Sequence, residues 1–186
     1  MKKLIASLIV IAGTQVCWAE TTLKMNFVKE DIIKILEMYS KAANQKFVID
    51  PEVKGSVTLL NPEEVNLKEA FNQISTMLAI NGFSYFYQGD VIVIQSTRQV
   101  QRSGIPVVTE LPPVRPEMMV TWVTTLKHAS VANINRDLRI LVSKDGEMVI
   151  VPDKNQIMIS DFTSNLHRVA KILEQVDKPS NLKRKQ

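Results

Sequence analysis

The sequence predicts an α+β protein built as two small domains. Short runs of β-branched and aromatic residues alternate with amphipathic helices, two of them before and two after a proline-rich stretch. That stretch, residues 99–117, holds four of the eight prolines (Pro106, Pro112, Pro113, Pro116), a composition that predicts a stiff, extended linker. The length of 186 residues agrees with one or two domains.

The first 19 residues stand apart from the fold. Lys2 and Lys3 precede the apolar run Leu4 to Ala12, and Cys17-Trp18-Ala19 places small residues before a cut at Ala19/Glu20. This is the pattern of a secretory signal peptide, too short for the roughly 20 residues of a membrane span. Lipidation at Cys17 is the competing reading, which Val16 and Thr14 fit poorly. Cys17 is the one cysteine, so the chain from Glu20 onward carries no disulfide, thiol nucleophile or thiolate ligand.

Residues 20–98 form the first predicted domain. Leu23 to Phe27 reads as a strand, and Ile32, Ile35, Leu36, Tyr39 and Ala43 give the next segment a helical apolar face. Lys46 to Ile49 and Ser56 to Leu60 read as two strands around the tight connection Asp50 to Gly55. Asn66 and Glu69 open a second helix, with Leu67, Ala70, Phe71, Ile74, Met77 and Leu78 on one face and Asn81-Gly82 at its end. Phe83 to Tyr87 and Val91 to Ile94 form a hairpin across Gln88-Gly89-Asp90, whose aromatic residues are expected in the core.

Residues 118–178 form the second. Val120, Trp122, Thr124 and Leu126 share one face of a strand. Ser130 is placed to cap a helix carrying Val131, Ile134, Leu138 and Leu141. Strands Glu147 to Val151 and Gln156 to Ser160 follow, then a helix with Leu166, Val169, Ala170, Leu173 and Val176 inward. The order is β-α-β-β-α, two helices on one face of three strands, and residues 179–186 are left as a basic tail.

The residue inventory argues against catalysis. His128 and His167 lack neighbours at metal-ligand spacing, the glycines form no phosphate cradle, and no Gly-x-Ser-x-Gly elbow occurs. No catalytic residue, cofactor site, metal site or small-molecule substrate is expected. Setting aside Lys2, Lys3, Lys178, Lys183, Arg184 and Lys185, the 23 basic residues fall to 17 against 19 acidic ones, a balance of −2. A body of that charge is not built for nucleic acid. The β-α-β-β-α order is similar to the KH domain, but the Gly-x-x-Gly loop that clamps RNA is missing.

Two motifs carry a more specific resemblance. Asn26-Phe27 with Asp31-Ile32, then Phe47-Val-Ile-Asp-Pro-x-Val-x-Gly-x-Val-Thr58, resembles the first periplasmic (N0) domain of the secretins, outer-membrane gates of type II and type III secretion and type IV pili. Ile150-Val-Pro-Asp-x-x-Gln-Ile-x-Ile-Ser-Asp161 and Asn165-Leu-x-x-Val-x-x-Ile-Leu-x-x-Val-Asp177 resemble the N1 repeat that follows it. After Lys178-Pro179 no alternating membrane-strand pattern occurs, so pore formation is not carried over.

The resemblance implies a non-enzymatic periplasmic protein, associated with an outer-membrane secretin complex and acting by protein–protein binding in its assembly. Type II secretion is the better match, since no extra β-domain precedes N0. The implied partners are an inner-membrane platform component, the secretin barrel or other N-modules, with weak ring-type self-association. The implied docking edge is Leu23, Lys24, Met25, Asn26 and Phe27, by strand addition. Two alternatives stand beside it: a type IV pilus secretin-related protein, and the signalling domain of TonB-dependent receptors, which shares the N0-type fold but leaves 118–177 without a role.

Overall fold

The computed structural model describes residues 21–179. The first domain opens with two short strands rather than one. β1 (Thr22–Lys24) pairs antiparallel with β5 (Glu64–Asn66), and β2 (Phe27–Asp31) pairs antiparallel with β4 (Ser56–Leu59). The break falls at Met25, whose side chain is fully buried in the first core. Burying one large apolar residue there turns the chain and sends its two halves to different partners.

Helix α1 (Ile32–Ala43) is capped by the Asp31 carboxylate, which accepts from the Ile33 amide at 2.7 Å. It buries Ile32, Ile35, Leu36 and Tyr39, the residues its spacing selects. β3 (Lys46–Ile49) follows. The turn from β3 to β4 does not make a hairpin: β3 runs parallel to β7 (Val91–Ser96) while β4 goes to β2. Val53, at the apex of the turn, is buried in the core and draws the two strands apart. Gly55, at φ 136°, lets its carbonyl reach the Ile32 amide at 3.0 Å.

α2 (Leu67–Ile80) starts at Asn66, whose side chain accepts from the Glu69 amide at 2.9 Å. β6 (Phe83–Gln88) and β7 form the aromatic hairpin, and the sheet order is β3-β7-β6. The rings are core, as expected: Tyr85 is buried edge-on to Phe71 at 5.1 Å, and burial, with Tyr87 beside it, pushes its hydroxyl well above the ordinary tyrosine range.

The proline-rich stretch is not an extended linker. Helix α3 (Thr97–Ser103) runs into it, it contains strand β8 (Val107–Val108), and it is held against both domains. Val100 of α3 is buried with Met119 and Phe162, and Ala79, Phe86 and Ile105 pack around them. Further along, Thr109 accepts from the Trp122 indole at 3.2 Å, and Thr163 donates to the Val114 carbonyl at 2.9 Å. The prolines keep the segment irregular, but its apolar residues and carbonyls find partners that hold it down.

In the second domain β9 (Met119–Thr125), β10 (Glu147–Val151) and β11 (Gln156–Phe162) form the antiparallel core of a sheet ordered β10-β11-β9-β8. The sheet has four strands where three are predicted, because β8 adds parallel to β9 (Val107 beside Thr121, Val108 beside Trp122). Helices α4 (Val131–Arg139) and α5 (Thr163–Val176) bury Val131, Leu138, Leu166, Val169 and Leu173 against Trp122, Met148, Ile157 and Ile159.

Ser130 stands at the α4 N-cap but makes no side-chain capping bond. Asn155 does that work from the left-handed conformation (φ 51°). Its Oδ1 accepts from the Val131 amide at 3.0 Å, and its Nδ2 donates to the Leu126 and Ala129 carbonyls at 2.8 and 2.9 Å. A cap from a distant loop leaves no mark at position 130.

Candidate protein-docking surfaces

The expected docking residues do not form one edge strand. Lys24 and Asn26 are exposed, Leu23 and Phe27 are half-buried, and Met25 is buried. Leu23 sits opposite Val65, and the Thr22 hydroxyl donates to Glu64 at 2.6 Å, so β1 is hydrogen-bonded to β5 on one side. Proline at Met25 would therefore remove a core side chain and would not test docking. The expected cleavage residues Ala19 and Glu20 lie outside the described residues.

Neither histidine is a ligand candidate. His128 is exposed at a loop, and His167 Nε2 lies 2.7 Å from the Pro112 carbonyl, pinning the inter-domain segment to α5. Among the described residues no group of three or more His, Cys, Asp or Glu could hold a metal ion, and no helix is long and apolar enough to cross a membrane.

Two carboxylates organise the second domain; each closes one of the N1-type motifs, which give neither a structural role. Asp161 is fully buried. Its oxygens accept from the Ser143 amide and hydroxyl at 2.8 and 2.6 Å, from Asn165 Nδ2 at 2.6 Å and from the Phe162 amide at 2.8 Å. Across the same turn, the Gln101 side chain of α3 donates to the Asp145 carbonyl. Gly146 is there because a Cβ would lie 2.5 Å from Asp161 Oδ2. The available signal was phase: Asp161 continues the inward positions Ile157 and Ile159 of β11.

Asp177 closes the far end of the domain. Its carboxylate accepts from the Lys127, His128 and Ala129 amides at 2.8, 2.6 and 2.9 Å. Desolvation pushes this carboxyl upward, but the three amides, with His128 nearby, outweigh it and hold the group below the usual carboxylate range. A depressed folded value means its stabilisation is present above the unfolded value of about 3.9 and is lost as pH falls through the folded one. Asp177→Ala should therefore lower the melting temperature at neutral pH by an amount that shrinks below about pH 4. Melting curves of both proteins across that range check this, and a pH-independent difference would exclude it.

Taken together, the two domains define a class. Residues 25–94 match the family described as "GspD-like, N0 domain", and residues 121–182 match the "Bacterial type II/III secretion system short domain". The chain thus matches an N0 domain followed by a secretin short domain, in the order its motifs suggest. More particularly, it is homologous to the N-terminal part of the type II secretins. It is 26% identical over 155 residues to secretin XcpQ of Pseudomonas aeruginosa, spanning 82% of this chain and 22% of that protein. It is 24% identical over 177 residues to secretin ExeD of Aeromonas hydrophila, spanning 94% of this chain and 26% of that one. The chain therefore spans about a quarter of the length of these relatives. Its fold matches a chain of the Klebsiella pneumoniae type II secretion system outer membrane complex (PulD, PulS and the PulC HR domain) with TM-score 0.74, 21% identity, 85% of this chain covered and 27% of that one.

Proposed function

We propose that the chain is a non-enzymatic, periplasmic docking module of a type II secretion apparatus, acting through protein–protein contacts in the assembly of an outer-membrane secretin. The observation that carries this reading is the N0 domain followed by N1 across a packed joint, with short strands left open on one side. Strand addition at such an edge gives affinity through main-chain hydrogen bonds without a ligand pocket. The leader sequence supports a periplasmic location. The complex of PulD with PulS and the PulC HR domain supports partners drawn from the same machinery.

In this reading Leu23 to Phe27 remains a docking edge, contributed by the exposed side chains of Lys24 and Asn26 rather than by an unbroken strand. Labelling tests it without touching the core. Residues 20–186 contain no cysteine, so Asn26→Cys takes a bulky maleimide at one place. Binding to a purified HR domain of the PulC type should fall at least about tenfold on labelling, a loss of about 1.4 kcal/mol. The same label at exposed Asp153, introduced as Asp153→Cys, should leave binding unchanged. Equal affinity of labelled and unlabelled Asn26→Cys would remove this edge.

A further inference from the structure

An open groove of about 470 Å³ runs between β4 and the second half of α2. One wall is five consecutive residues, Val57 to Asn61. Val57 to Leu59 belong to β4, where a single face would contribute alternate residues only, so this part of the wall is a backbone edge that Leu60 and Asn61 continue beyond the strand. β4 is hydrogen-bonded to β2 alone among the described residues, which leaves this edge unpaired. The opposite wall takes Gln73, Thr76, Met77 and Ile80, one stripe of α2 at helical spacing.

The chemistry of the groove is apolar at its rim with a single charge. Leu60 and Ile80, 74% and 76% exposed, stand on its two walls. Gln73 Oε1 is buried without a hydrogen-bond partner on the helix wall. Among the described residues Arg115, from the inter-domain segment, is the only charged residue lining the groove, and it lies 3.8 Å from Glu69. A strand edge beside a helix, with apolar side chains at the mouth, is the arrangement that accepts an extended peptide as an added strand.

We propose that this groove takes an extended segment of a partner protein as an added strand on β4, with apolar side chains against Leu60 and Ile80 and an acidic side chain at Arg115. The proposal rests on the reading of the chain as a protein-docking module, and it uses a different edge from Leu23 to Phe27. Charge selects the occupant. A second copy seated by two-fold symmetry would bring a second Arg115 into the same groove. The chain's own final residues carry Lys183, Arg184 and Lys185, again of the wrong sign.

Backbone NMR of the purified, isotope-labelled chain tests this with two peptides, acetyl-Thr-Val-Thr-Val-Glu-Val-amide and the same peptide with Lys in place of Glu. The Glu peptide should perturb Ser56 to Asn61 and Gln73 to Ile80, and should bind up to about fivefold tighter than the Lys peptide, the range of an exposed ion pair. Arg115→Glu should reverse that order, and Ile80→Ser should weaken both peptides. No perturbation at millimolar peptide, perturbation centred elsewhere, or equal affinity for both peptides would overturn the proposal. Concentration-dependent shifts of the groove residues without peptide would give the groove to a second copy, and shifts on deleting 180–186 would give it to the chain's own end; either result overturns it too. Because no HR domain enters this titration, its failure is separate from failure of the docking reading above.

Discussion

Asp161→Ala is expected to unfold the chain at urea concentrations where the native chain is still folded. The substitution removes an acceptor for four hydrogen bonds in a fully buried site, stranding the Ser143 amide and hydroxyl, the Asn165 amide and the Phe162 amide. Each buried donor left without a partner costs about 1–3 kcal/mol, and partial rehydration brings the sum to about 3–5 kcal/mol. A domain of this size holds about 5–15 kcal/mol in all. Asp161→Asn keeps one oxygen and should lose about half as much, since two donors still find an acceptor. Trp122 is the one tryptophan outside the first 19 residues and lies in the second core. Its fluorescence in a urea titration therefore reports this domain alone, and an unshifted midpoint for Asp161→Ala would contradict the account.

The second large effect is on cooperativity. Met119 is fully buried between the domains with Val100 and Phe162, and its own amide donates to Ser84 of the first domain at 3.3 Å. The Glu117 amide likewise donates to the Ser75 hydroxyl at 2.9 Å. The chain should unfold in one transition, with Trp122 fluorescence and far-ultraviolet circular dichroism superimposing. Met119→Ala should cost about 2–5 kcal/mol of truncation and cavity, all of it at the joint. The two signals should then separate into successive transitions. Two transitions in the unaltered chain would mean that the joint contributes little.

What the sequence made legible was local. Ile32, Ile35, Leu36 and Tyr39, or Leu166, Val169 and Leu173, announce helices because a helix buries what its own period selects. The β6–β7 hairpin was legible for the same reason, its pairing being set by the turn between the strands. Pairings chosen at long range were not. Nothing between Asp50 and Gly55 states that β3 will join β7 and β4 will join β2, because the choice is made by residues 25 to 45 positions away. β8 is two residues long and has no periodicity to detect. Met25 reads as part of a strand because a buried kink and a strand residue look alike in composition. As for the candidate site, the family motifs located the two modules, whereas the β4 groove depends on Arg115 arriving from a segment that composition alone describes as a spacer.

The short strand β8 has a consequence for how copies of the second domain can meet. A sheet with two long open edges can be extended indefinitely, copy upon copy, which is the geometry of fibres. Here β9 is covered by Val107 and Val108, and beyond them the chain offers too little strand to serve as a template. Among the described residues only β10 remains as a full edge. Sheet-to-sheet joining through this domain therefore terminates at a pair, β10 against β10. Any closed ring of more copies has to be made by faces and helices, with each subunit's hydrogen-bonded ladder ending at its own boundary.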